Sequence, residues 1–84
     1  MSKWCNQMDW TIKDNKLVKE FEFLNFVKAT EFVNKIVPIA ENADHHPDII
    51  IHSYKKVRVE LFTYSKGKIT DKDYNLAREI DKVS

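Results

Sequence analysis

The hydrophobic period of this chain switches from two to three-and-four, and then does so a second time, all within 84 residues. Period two places alternate side chains on opposite faces of a strand, whereas apolar residues at spacings of three and four line one stripe of a helix. Each switch therefore marks a passage from strands into a helix. With a single glycine and two prolines, little of the chain is left over for loops. The order that results is strand-strand-helix-strand-strand-helix.

Trp10-Thr11-Ile12-Lys13 alternates as a half-buried strand does, Asp14-Asn15 supplies turn residues, and residues 16–23 form the second arm of a hairpin. Leu17, Phe21 and Phe23 share one face of that arm, and Val18, Glu20 and Glu22 the other. Lys19 falls on the apolar face, which places it near a sheet edge with its stem packed. Asn25 then caps a helix that runs to about residue 42, with Phe26, Ala29, Val33, Ile36, Val37 and Ala40 as its stripe and Phe32 widening it. Pro38 lies inside this pattern, where it deletes one hydrogen bond and crowds the preceding turn, so a kink or break is expected near residues 35–37.

Residues 48–54 are rich in β-branched side chains and read as a strand. Residues 57–64 read as another, with Val57, Val59, Leu61 and Thr63 on one face and Arg58, Glu60, Phe62 and Tyr64 on the other. Tyr54-Lys55-Lys56 leaves room for only a tight hairpin between them. A turn at residues 65–68 holds the glycine. Thr70 caps a last helix with Asp73 at the third position of a capping-box-like pair, and Leu76, Ala77, Ile80 and Val83 form its buried stripe. The expected fold is α+β, a two-layer sandwich of a four-stranded antiparallel sheet with helices packed on one face. Ile50, Tyr54, Phe62 and Tyr64 fall on the other face, an apolar surface suited to contact with a second subunit.

Composition narrows the function. The length suits one small domain spanning residues 1–84, and oligomerisation is a natural source of added stability at this size. A net charge of +1 argues against a nucleic-acid binder. Lys55-Lys56-Val57-Arg58, the one basic cluster, reads as a solvated turn opening a strand. A lone cysteine, Cys5, excludes an internal disulfide and has no base near it in sequence to make it a nucleophile. No apolar run has the length of a membrane span, and the first residues lack the regions of a signal peptide, so a cytoplasmic protein is expected. One glycine cannot build a phosphate-binding loop, which argues against ATP- or NAD-dependent chemistry.

The chemistry lies in Glu41-Asn-Ala-Asp44-His45-His46-Pro47. Imidazoles exchange protons near neutral pH, and two of them can divide donation and acceptance. Pro47 biases His46 toward extended backbone, so the two rings point opposite ways and line two walls of a pocket. Glu41 and Asp44 lie within a turn of the pair, close enough to orient an imidazole. A metal site built from Asp44, His45, His46 and His52 is the competing reading. Adjacent histidines rarely converge on one ion, and no second His or Cys cluster supplies the usual spacing, so no metal is expected. His52, within a strand, reads as a surface or core-edge residue.

Glu41, then His45-His46-Pro47 after three intervening residues, then Tyr54, Tyr64 and Asp73, resembles the signature of the pterin-4a-carbinolamine dehydratase family, known in animals also as the dimerisation cofactor of a homeodomain transcription factor. Phe21-Glu22-Phe23-Leu24-Asn25-Phe26, Ala29 and Asp73-Tyr74-Asn75-Leu76-Ala77 are similar to its flanking pattern. The resemblance runs from Trp10 to the C-terminus. It departs in two places: Tyr64 stands where the family usually has His or Trp, and the nine residues before Trp10 leave the family's opening helix short or missing.

The resemblance implies dehydration of 4a-hydroxytetrahydropterin to quinonoid dihydropterin in tetrahydrobiopterin recycling, linked to aromatic amino-acid hydroxylases. His45 would be the main acid–base residue, with His46 contacting the pterin. Tyr64 would donate a hydrogen bond to the leaving oxygen. Glu41, Asp44, Pro47, Thr63 and Asp73 would orient these groups or the pterin. No cofactor is implied, and a homodimer or homotetramer is. The alternative is a non-catalytic binding or assembly factor on the same fold.

Overall fold

The computed structural model describes residues 10–84. Expectations about the opening helix and Cys5 lie outside the described residues. Strands β1 (Thr11–Lys13) and β2 (Lys16–Glu22) lead into helix α1 (Phe26–Ala43), and strands β3 (Asp48–His52) and β4 (Lys56–Leu61) into helix α2 (Asp71–Val83). The sheet order is β1-β2-β4-β3, antiparallel throughout. Asp14 and Asn15 both have positive φ, as a two-residue hairpin turn between right-twisted strands requires, and both residue types tolerate it.

The register explains the single core. Leu17 lies opposite Leu61, Lys19 opposite Val59 and Phe21 opposite Val57, while Ile49 and Ile51 flank Val59 and Val57 from β3. These residues form one face, and onto it pack Ala29, Phe32 and Ile36 of α1 and Leu76, Ala77 and Ile80 of α2. Both helices therefore lie on one side of the sheet, as a two-layer α+β architecture. Ile36 is fully buried. Its truncation to alanine is expected to cost about 2–5 kcal/mol, a large part of the stability of so small a domain. Urea denaturation would show this as a lower midpoint at unchanged slope.

Several elements depart from the sequence reading. α1 passes through Pro38 unbroken. Pro38 and Asn34 are both exposed, so the missing hydrogen bond falls on the solvent side of the helix. The buried arc of α1 is Ala29, Phe32, Ile36 and Ala40, whereas Phe26 and Val37 are half exposed. At 100° per residue those two fall on the flank of the arc, and Phe32 and Ile39 on the side turned to the core. Lys19 sits on β2, an interior strand rather than an edge. Its ammonium reaches Asp81 of α2 at 2.9 Å and lies 4.7 Å from the centre of the Phe21 ring, tying the sheet to the helix layer. Trp10 donates its indole N–H to the same carboxylate. Ile12 is exposed, because β1 is a short edge strand.

The open face of the sheet is chiefly charged rather than apolar. Arg58 pairs with Glu60, Lys16 with Glu60, and His52 with Glu20. Ile50 is its one half-exposed aliphatic residue. Tyr54 is not in a strand: with Ser53 it turns the β3–β4 hairpin at positive φ. β4 ends at Leu61, so Tyr64 also leaves the strand and opens the turn closed by Gly67, whose φ is +66°.

Candidate active site

The site begins where α1 stops. Asp44 adopts a left-handed conformation at φ 53°, which Asp tolerates better than most residues. Its N–H donates to the Glu41 carbonyl and the next N–H, of His45, to the Ala40 carbonyl, both at 3.2 Å. This paired closure is the Schellman arrangement, and it satisfies two carbonyls that the helix end would leave bare. It also sets the direction in which the chain leaves the helix. His45 turns inward with its side chain 12% exposed, and His46 turns outward with 59% exposed. Pro47 is half-buried and leads into β3.

Each ring has its own carboxylate. His46 Nε2 lies 2.5 Å from Glu41 Oε2, on the surface. His45 Nε2 lies 2.5 Å from Asp73 Oδ1, and Asp73 is fully buried. A buried carboxylate is costly unless its oxygens are occupied. Here Oδ2 accepts from the Thr63 hydroxyl at 2.8 Å and from the Thr70 N–H at 2.9 Å, and the carboxylate lies in the first turn of α2, where the helix dipole favours negative charge. Glu41 and Asp73 thus act on different histidines, and Asp44 serves as the backbone cap that aims them.

His45, His46, Asp44, Thr63 and Tyr64 border one hollow of about 300 Å³. Thr63 borders it with little exposure, and Asp73 is buried beneath it, in reach of a ligand only through His45. Tyr64 is 66% exposed, its ring edge-on to Phe62, and its hydroxyl donates to Asp48 at 3.1 Å. A second, larger hollow of about 630 Å³ lies between the end of α1 and α2, bordered by Pro38, Ile39, Ala43, Leu76 and Glu79. His45 and Lys72 border both. His52 is apart from all of this, on the open face of the sheet. Among the described residues no group of three or more His, Cys, Asp or Glu side chains could hold a metal ion. Lys55, which its hydrogen bond to Glu22 and that group's charge hold above the usual lysine range, sits at the opposite end of β4.

Phe62, Lys72 and Thr70 were not legible as site residues. Phe62 reads as a strand residue facing outward, Lys72 as one more exposed helix lysine, and Thr70 as a cap whose second bond, to Thr63, joins residues seven apart.

The model of the family described as pterin 4 alpha carbinolamine dehydratase matches residues 2–83. The chain belongs to that family. A relative from Sulfolobus acidocaldarius, provisionally named pterin-4-alpha-carbinolamine dehydratase, is 49% identical over 88% of this chain and 80% of its own length. One from Picosynechococcus with the same provisional name is 51% identical over 89% and 80%. Among solved structures, a transcriptional coactivator/pterin dehydratase from Brucella melitensis superposes with a TM-score of 0.83 at 30% identity, covering 90% of this chain and 83% of that one. A pterin dehydratase-like protein identified as a RuBisCO assembly factor in the alpha-carboxysome shares the fold, with a TM-score of 0.71 at 18% identity, covering 93% and 89%. Of the residues on which the sequence resemblance rests, Glu41, His45, His46, Pro47, Tyr64 and Asp73 lie at one end of the sheet, while Tyr54 alone lies at the other.

Proposed function

We propose that this dehydratase-family chain converts a 4a-hydroxytetrahydropterin into quinonoid dihydropterin by histidine acid–base catalysis, recycling tetrahydrobiopterin or a similar pterin for an aromatic amino-acid hydroxylase in the cytoplasm. The observation that carries this reading is the His45–Asp73 pair: an imidazole held by a buried carboxylate at the border of a hollow that also presents His46 and Tyr64. In the reaction the C4a–O bond breaks, the departing hydroxyl takes a proton and leaves as water, and a ring nitrogen gives up its proton as the C=N bond forms. Hydroxide is a poor leaving group, so the proton must arrive as the bond breaks. General acid–base groups contribute about 10²- to 10⁴-fold to such steps.

In this reading His45 moves the proton and His46, oriented by Glu41, bears on the pterin. Pro47 fixes the start of β3, and Asp44 the angle between the rings. The Tyr64 hydroxyl exchanges its bond to Asp48 for one to the 4a oxygen. Self-association into a homodimer or homotetramer fits the free outer edges of β1 and β3 among the described residues, with Ile12 exposed on one and Ile50 on the other. The test is a spectrophotometric assay of 4a-hydroxytetrahydropterin decay. Purified protein should accelerate it well above the spontaneous rate. A folded but inactive protein would favour instead a binding or assembly role, for which the half-exposed Phe26, Val27 and Val37 on α1 offer a surface.

Tyr64→His is expected to raise kcat, by roughly three- to tenfold, because an imidazolium is a far stronger acid than a phenol near neutrality. An unchanged kcat with unchanged pterin affinity would remove Tyr64 from the protonation step.

A further inference from the structure

The buried hydroxyls behind His45 have a direction. The Thr63 and Thr70 Oγ atoms lie 2.7 Å apart, and Thr63 Oγ lies 2.8 Å from Asp73 Oδ2. A threonine has one hydroxyl proton. Asp73 Oδ2 accepts from the Thr70 backbone N–H, so it is an acceptor, and the Thr63 proton is committed to it. The Thr63 oxygen must then accept from Thr70. In the first turn of α2, where the helix dipole favours its ionised form, Asp73 accepts at both oxygens, so Oδ1 takes its proton from His45 Nε2. From this we infer that Thr70 and Thr63 are positioning residues that fix His45 as the Nε2–H tautomer, making Nδ1 the atom that exchanges the proton with the pterin.

The chain of hydroxyls is buried at its Asp73 end and partly open at Thr70. Thr63 is 4% exposed and Asp73 fully buried, and among the described residues no buried side-chain nitrogen or oxygen lacks a partner. Thr70 is also the N-cap of α2, so the same residue that starts the helix orients the ring beyond the end of α1. The kinetic part of the inference rests on the dehydratase reading; the tautomer does not.

The experiment is ¹⁵N NMR of the histidine ring nitrogens in the free protein, with kinetics alongside. The wild type should show His45 protonated at Nε2, with Nδ1 in the unprotonated range. Thr63→Val removes the donor to Oδ2 and should make the tautomers mix, with kcat falling about fivefold to tenfold, as the loss of one buried hydrogen bond implies, and KM little changed. Thr63→Ser should restore both signals. Thr70→Ala, which keeps its backbone N–H, should give the same mixing in smaller degree and serves if Thr63→Val does not fold. A ring signal unchanged in both variants, or a wild type protonated at Nδ1, overturns the inference. A wild type with the Nε2–H signal but no dehydration would overturn the functional reading and leave the tautomer assignment standing.

Discussion

Replacing His45 by alanine is expected to slow pterin dehydration by about 10²- to 10⁴-fold. Nothing else on the inner wall of the hollow carries a proton that moves near neutral pH: Thr63 is committed to Asp73, and Tyr64 is a phenol. His46 is exposed and tied to Glu41, so His46→Ala should act more on KM than on kcat. Removing His45 also strips one partner from a buried carboxylate, a loss of about 1–3 kcal/mol. Thermal unfolding should therefore be followed with the rate, and His45→Gln, which keeps an N–H for Asp73, separates the two effects. If His45→Gln folds as the wild type does and retains its rate, His45 is not the acid–base group.

Asp73→Asn should have the second large effect. The substitution preserves shape, but an amide has one acceptor oxygen and one donor nitrogen where the carboxylate has two acceptors. Two donors, the Thr63 hydroxyl and the Thr70 N–H, already converge on Oδ2. The amide oxygen must stay there, which leaves its NH₂ facing His45 Nε2. The ring then has to accept rather than donate, and its proton moves to the other nitrogen. A loss of kcat of about 10²-fold or more is expected, comparable with one general acid–base contribution. The stability change should be smaller than for Asp73→Ala, which leaves the Thr63 hydroxyl proton, the Thr70 N–H and His45 Nε2 without their acceptor. Stopped-flow dehydration and urea denaturation on the two variants would show this. Equal rates for Asp73→Asn and wild type would make the carboxylate structural only.

Most of the architecture could be read from periodicity, because apolar residues at the period of each major element make up most of its buried face. Leu17 and Phe21, Val57 through Leu61, and Leu76, Ala77 and Ile80 sit where their spacing puts them. The errors fall where a neighbour, rather than spacing, decides. Val37 satisfies the helical stripe as well as Phe32 does, and only the position of the sheet below selects between them. Pro38 forbids one hydrogen bond but not a helix that places the proline on its exposed side. Tyr54 and Tyr64 extend an alternating pattern beyond the point where turns at positive φ end the strands.

At the site, the residue types were legible and the partnerships were not. His45-His46-Pro47 announces acid–base chemistry from its composition. That Glu41 serves His46 and that Asp44 is a left-handed cap depend on how α1 ends, and that Asp73 serves His45 depends on where that end lies against α2. Asp73 reads from sequence as a helix cap, which it is. Its free oxygen reaches a histidine 28 residues away, a link no local pattern encodes.

The pterin is expected to be turned over in the hollow shared by His45, His46 and Tyr64, not in the larger one beside it. Titrating ¹⁵N-labelled protein with an unreactive dihydropterin and mapping the amide shifts tests this directly. Saturable shifts concentrated at Asp44, His45, His46, Thr63, Tyr64 and Ser65 are the predicted result. Shifts confined to Ile39, Asn42, Ala43, Asn75 and Glu79, or none at millimolar ligand, would contradict it.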